Sequence, residues 1–179
     1  MDDPTTMIIV VVVAIIVIFL LFTYLLPAEF AVTRTVKISA PLKKITPYLT
    51  NVRLWQEWSP WREKDPNMEM AYSENDTGDG AWFTWESSSQ GKGKMVFAKV
   101  TEFGVEYEIE FIGKGGPCHG SMEASDEDDE HSYVVWSFHG KSGMNPIARW
   151  FGLLMDRMVG PDFEKGLNKL KTITEKADS

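Results

Sequence analysis

Twenty consecutive residues, Met7 to Leu26, carry no charge, and among them only Thr23 and Tyr24 have a polar side-chain atom. A helix rises about 1.5 Å per residue, so this run reaches about 30 Å, the thickness of a bilayer's hydrocarbon core. Val10 to Val13 is β-branched and a poor helix former in water. In lipid the backbone must satisfy its own hydrogen bonds, and helix wins regardless of propensity. No face of the segment is polar, which argues against the core helix of a soluble domain. A cleaved signal peptide is the competing reading, but such peptides open with positive charge and carry apolar runs of about 7–15 residues. Here residues 1–6 form a short acidic tail, the run is longer, and Leu26-Pro27-Ala28 only faintly resembles a cleavage site. The sequence thus predicts an uncleaved transmembrane helix over residues 7–26 and a single-pass membrane protein. No basic residue precedes the span, whereas Arg34, Lys37, Lys43 and Lys44 follow it within about 20 residues. The positive-inside rule then places the rest of the chain on the cytoplasmic side.

What remains, residues 30–176, is enough for one ordinary domain with a sizeable core. The net charge is −8, and all 18 basic residues lie beyond the apolar run with all but Asp2 and Asp3 of the 26 acidic ones. An acidic domain lacks the basic patches that phosphate contacts need, so a nucleic-acid partner is not expected. The single cysteine, Cys118, excludes an intramolecular disulfide and a multi-cysteine metal site.

Ala31 to Ser39 alternates apolar and polar residues and reads as a strand. Ala40-Pro41 opens a helix with a stripe of Leu42, Ile45 and Leu49, shortened or kinked at Pro47. A second short helix over Val52 to Trp58 ends at Ser59-Pro60. Strand signals separated by tight turns follow at Met68–Tyr72, Ala81–Ser87, Lys94–Glu102, Val105–Ile112, Cys118–Ser125 and Ser132–His139. Short turns between sequential strands predict an antiparallel meander. From Pro146 to about Lys176 the period becomes helical, with Ile147, Trp150, Phe151, Leu154, Met155 and Met158 on one face and a kink or break expected near Pro161. An antiparallel sheet and one long amphipathic helix each have a face to bury. The expected fold is α+β: a curved sheet wrapped around the C-terminal helix, two short helices after the first strand, and a cavity between sheet and helix.

This element order, with the strings VKISAPLKKITPYL, LWQEWSPWREKDP, GDGAWFTWESSSQGKGKM and MVGPDFEKGLNKLK, resembles the SRPBCC or START-like superfamily, whose fold is the helix grip. The strings are similar to its polyketide cyclase/dehydrase-like branch, which includes bacterial members with an N-terminal membrane segment. The likeness covers Phe30 to Lys176. It implies a cavity for a hydrophobic ligand between the sheet and the C-terminal helix, in some members with catalysis added.

Alternation on the third strand puts Trp82, Thr84 and Glu86 on one face and Phe83, Trp85 and Ser87 on the other. If the first set faces the cavity, Glu86 sits beside Trp82 in a low-dielectric pocket, where burial raises a carboxyl pKa and suits it to acid/base work. If the second set faces inward, Glu86 is an ordinary surface residue. On the last strand Val134, Trp136 and Phe138 form the larger apolar set and should point inward, which leaves His139 outward or at the rim. The ligand-binding candidates are Trp82, Thr84, Glu86, Trp136, Phe138, Phe151, Met155 and Met158. No histidine or cysteine spacing supports a metal, and no cofactor is expected. Arg149, Asp156 and Arg157 interrupt the apolar helix surface; Arg149 and Asp156 read as charges ringing its apolar face, with one of them reaching into the cavity to orient a polar ligand group as the alternative. Trp55, Trp58 and Trp61 read as core aromatics, with a lid or a membrane-interface contact as alternatives. Three functional readings stand: a membrane-anchored module that binds a hydrophobic or amphipathic small molecule, a lipid or isoprenoid for example; a cyclase/dehydrase-type enzyme using Glu86; and a domain that binds protein partners through its acidic tip, Asp126 to Glu130, or its tryptophan region.

Overall fold

The computed structural model describes residues 3–113 and 116–176. The first helix, α1 (Pro4–Leu25), starts with Pro4 in its first turn, where a missing N–H costs nothing, and the Asp3 carboxylate accepts the Thr5 N–H at 3.3 Å. It is long and apolar enough to cross a membrane, a test that an N-terminal signal sequence also passes.

Seven strands follow: β1 (Glu29–Ile38), β2 (Glu69–Tyr72), β3 (Trp82–Ser87), β4 (Gly91–Thr101), β5 (Gly104–Phe111), β6 (Cys118–Asp126) and β7 (Ser132–Lys141). They form one antiparallel sheet in the order β1-β7-β6-β5-β4-β3-β2, so the meander runs unbroken from β2 to β7 and β1 closes the far edge against β7. The hairpin between β4 and β5 turns at Gly104, whose φ is +155° and where a Cβ would collide with the Met122 carbonyl, so only glycine fits. Between β1 and β2 lie α2 (Leu42–Thr50), α3 (Trp55–Trp58) and α4 (Pro60–Lys64). The third of these differs from the expected two helices: Ser59-Pro60 reads as a stop, but it ends one helical turn and starts the next, with Pro60 at the first position of α4.

The last helix, α5 (Pro146–Lys176), runs as one element through Pro161. Its C-terminal half buries Phe163, Leu167 and Leu170 against the sheet, and the buried face continues upstream through Gly160 to Arg149. α5 lies mainly over β1, where Arg34 reaches up from the inner sheet face. The Arg34 guanidinium makes a two-pronged bond to Asp156 (2.8 and 3.2 Å) and donates through Nε to Glu164 at 2.7 Å. Gly160 admits this contact, since a Cβ there would occupy the guanidinium's place. The fork holds the Asp156 carboxyl below its usual range and raises Arg34 above its own.

Aromatic rings fill the space between the sheet and α5. Trp136 stacks on Phe163 at 3.9 Å between ring centroids, and Trp58 and Trp61 meet the Trp136 ring edge-on. Trp55 stacks on Trp58 and touches Phe97 and Tyr107. Trp55 and Trp58 are fully buried, so they are core residues and not a lid.

Candidate functional site

The cross-strand register sorts the inner sheet face into rungs. Val105, Met122, Trp136 and Arg34 form one; Phe97, Tyr107, Gly120, Phe138 and Val32 form the next. Below them run Phe83, Met95, Ile109 and Cys118, continued by Gly140 and Phe30, and last Trp85, Gly93 and Phe111. At three glycines on this face an aromatic ring occupies the space that a Cβ would take: Trp85 at Gly93, Tyr107 at Gly120, and Phe30 at Gly140. Alternation along a strand would otherwise put a side chain in each place.

The upper rungs are closed by the tryptophan cluster. On the lower rungs Ile109, Phe111, Cys118 and Phe30 are only half-buried, and Met155 of α5 is half-buried as well. This apolar end of the grip, between the β5–β6 inner face and α5, is the candidate ligand site. Its polar groups are few. The Tyr107 hydroxyl accepts the Trp136 indole N–H at 2.8 Å, and burial pushes its pKa above the usual phenol range. Burial likewise raises the Cys118 thiol, which stays protonated at neutral pH and is a poor nucleophile. The Tyr107 hydroxyl lies buried beneath the tryptophan cluster and only the Cys118 thiol reaches the half-buried end, so the surface there is apolar and uncharged.

The ligand candidates divide. Trp136 and Phe138 lie inside, and Met155 lies at the half-buried end. Trp82, Thr84 and Glu86 lie on the outer face, because Phe83, Trp85 and Ser87 are the buried set of β3. Glu86 is exposed and ion-paired with Lys92, its cross-strand neighbour, so the carboxylate has no part in the interior. The physical reason is charge complementarity: Glu69, Glu86 and Lys92 form one polar row on the outside, which no inward placement could satisfy. Phe151 and Met158 are each 54% exposed on the side of α5 turned away from the sheet. The register of α5 is set by Phe163, Leu167 and Leu170, and the same face carried upstream reaches Arg149, Gly152 and Met155 instead.

Arg149 is not a rim charge. It is buried, donates through Nη1 to the Tyr24 and Leu26 carbonyls at 2.9 Å each, and through Nε to the Gly143 carbonyl at 2.9 Å. A cation thus satisfies carbonyls that the end of α1 leaves without partners. Beside it Trp150 stacks on Phe19 at 5.7 Å and donates its indole N–H to Thr23 Oγ1 at 3.1 Å. Thr23 and Tyr24, the two polar residues of the apolar run, both meet α5.

Two polar clusters lie elsewhere. On the outer face a depression of about 270 Å³ is lined by Glu106, Glu108, Glu123, His119 and His139, with the two imidazoles stacked across β6 and β7 at 6.2 Å. At the β6–β7 hairpin Glu127, Asp128 and His131 come within 4.8 Å of one another, a grouping of a kind that can hold a metal ion and that residue spacing did not signal. Its groups are already engaged: Glu127 pairs with Lys37 and accepts from Tyr133, and Asp128 accepts from His131 Nδ1 at 2.8 Å and from the Glu130 N–H.

Comparison with known proteins places this architecture. Solved structures share the fold at low identity. Norcoclaurine synthase from Thalictrum flavum, solved in complex with dopamine and hydroxybenzaldehyde, matches with a TM-score of 0.61 and 10% identity, over 84% of this chain and 89% of that one. A conserved Enterococcus faecalis protein of unknown function matches with a TM-score of 0.55 and 16% identity, over 85% and 75%. A putative protein from the dynemicin biosynthetic locus gives 0.57 and 12%, over 82% and 47%. No curated protein matches the sequence. The family described as polyketide cyclase / dehydrase and lipid transport matches residues 29–175, nearly the whole domain and the stretch that carries the resemblance in sequence. The chain belongs to this polyketide cyclase / dehydrase and lipid transport family.

Proposed function

We propose that the protein is a membrane-anchored binding module that takes up an apolar or amphipathic small molecule, of the size of a lipid chain or isoprenoid, at the half-buried end of the grip. The observation that carries this reading is the set Ile109, Phe111, Cys118, Phe30 and Met155: apolar, incompletely covered and without a charged side chain among them. The neutral Cys118 thiol borders such a guest without acting as acid or base near neutral pH. Two further facts support it. The family includes lipid transport, and norcoclaurine synthase holds small aromatic molecules on this fold. Retention of α1 as the anchor is supported by Arg149 and Trp150, which would lose their bonds to Tyr24, Leu26 and Thr23 if the chain were cleaved after Ala28. Tethering at the bilayer raises the effective concentration of a membrane-derived ligand.

A cyclase-type reaction through Glu86 has no geometric support, since that carboxylate lies on the opposite face of the sheet. The test is native mass spectrometry of the chain released gently from membranes, followed by titration of the delipidated protein with a fluorescent fatty acid. A co-purifying small molecule, saturable probe binding, and at least a tenfold loss of affinity in Ile109→Asp, measured where that variant is still folded by circular dichroism, are expected. Delipidated protein that binds no apolar probe, after a preparation that carries no small molecule, would refute the reading.

A further inference from the structure

The first half of α5 carries a second apolar stripe that the domain leaves uncovered. Ile147, Phe151, Leu154 and Met158 recur at steps of four, three and four, the spacing of one helix face, and each is between 48% and 68% exposed, while Met144, 72% exposed, stands in the turn just before the helix. Leu153 adds a sixth large exposed side chain nearby. The stripe has no charge within it, and Arg157 borders it. Isolated exposed apolar residues need no explanation, but a contiguous row of this size marks an interaction surface.

What covers the stripe follows from its neighbour. The same turns of α5 are docked on α1 through Trp150 against Phe19 and Thr23, and through Arg149 against Tyr24 and Leu26. Phe19 lies six residues before the end of α1, about 9 Å along the helix axis. If α1 spans the bilayer, Trp150 is held at the depth of its last two turns, where the acyl region meets the headgroups and where tryptophan is favoured. The helix that carries Trp150 cannot then stand in bulk water. Amphipathic helices that lie in the interface bury their apolar face about 5–10 Å into this boundary layer, a depth that matches. Arg157 has the long stem that lets a cation reach the headgroups from beside an immersed stripe.

We infer that Pro146 to Met158 is an interfacial helix, lying in the leaflet from which α1 emerges with Met144, Ile147, Phe151, Leu154 and Met158 in the acyl boundary. This rests on the reading of α1 as an anchor and deepens it. Met155 follows Leu154 and turns toward the half-buried inner face, so the apolar end of the grip opens beside the membrane and a lipophilic guest can pass between bilayer and site without crossing water.

The test uses the full chain in phosphatidylcholine vesicles, in a Cys118→Ser background, with an environment-sensitive fluorophore on single introduced cysteines. Ile15→Cys reports on the anchor, Phe151→Cys and Leu154→Cys on the stripe, and Glu86→Cys on the outer sheet face. Nitroxide lipids labelled shallow or deep in the acyl chain serve as quenchers. The inference expects Ile15→Cys to be quenched by the deep nitroxide, the two stripe positions to be blue-shifted and quenched most by the shallow one, and Glu86→Cys to be unaffected. Deep quenching at Ile15→Cys with solvent-like emission from both stripe positions overturns the inference and leaves the anchor standing. Blue-shifted stripe labels that no lipid nitroxide quenches also overturn it, since another protein surface, a second copy of the chain included, then covers the stripe. No quenching at Ile15→Cys removes the anchor and this inference together.

Discussion

Replacing Arg149 with methionine keeps an apolar stem of similar length and removes the guanidinium from the junction of α1 and α5. Three bonds are lost, to the carbonyls of Tyr24, Leu26 and Gly143. The two bonds to α1 share one nitrogen, so they count for less than two independent charge-assisted bonds, each worth about 1.5–3 kcal/mol. Arg149 is buried, and solvent screening takes little from this. The coupling between Arg149 and α1 should then be about 2–3 kcal/mol, or roughly 4–12 °C in the melting temperature of a domain this size. The measurement is a double cycle: full chain and a chain starting at Pro27, each with Arg149 or Arg149→Met, unfolded by urea in the same detergent. The bond to Gly143 is common to both lengths and cancels. The substitution should cost about 2–3 kcal/mol more in the full chain than in the short one. Equal losses, within about 0.5 kcal/mol, would show that α1 is not docked on Arg149 and would remove the structural basis for reading the two helices as one unit.

Glu86→Gln should leave ligand binding unchanged and move stability by less than about 1 kcal/mol, as expected for an exposed ion pair with Lys92; a tenfold loss of binding would return Glu86 to the site. Gly120→Ala drives a methyl group into the buried Tyr107 ring and should cost about 1–3 kcal/mol in urea unfolding, because the ring has no room to tilt; an unchanged midpoint would mean that the rung is loosely packed. Lys165 and Lys169, both on α5, hold the Glu63 carboxyl of α4 down to about 2. A depressed carboxyl contributes stability above its ordinary pKa and loses it as pH falls toward the folded value. Amide protection factors in α4, corrected for the intrinsic exchange rate, should therefore fall between about pH 4.5 and 2, and Glu63→Gln should abolish that pH step.

The fold was legible where one residue class dominates one face. Strands β5 to β7 alternate cleanly, and a helix with Phe163, Leu167 and Leu170 has one way to sit on a sheet. The face of β3 was not decidable by alternation alone, because Trp82 and Trp85 put a large aromatic on each side. The deciding signal lay across the turn, where Lys92 faces Glu86 and makes that row polar. In the first half of α5 two apolar arcs compete, one through Phe151, Leu154 and Met158 and one through Gly152, Met155 and Val159. Helical periodicity finds both and cannot rank them; the sheet takes the second because the C-terminal half fixes the rotation. Arg149 looked like an interruption of an apolar face because its partners are backbone carbonyls far upstream in the chain, and carbonyls leave no trace in a sequence.

The rings seated over Gly93, Gly120 and Gly140 bear on how such a fold acquires new guests. Each ring is a plug in a socket whose floor is bare backbone. Shortening Tyr107, Phe30 or Trp85 to a small residue would empty a ready-made slot the size of one aromatic ring, with no strand to be moved and no turn rebuilt. A lineage with this architecture can change what it accommodates one plug at a time, in three separate places along the inner face, while the tryptophan cluster above keeps the domain folded. Diversification then needs few steps: the slots under Phe30 and Trp85 can be emptied without touching the tryptophan cluster, whereas the one under Tyr107 also costs the Trp136 indole N–H its acceptor.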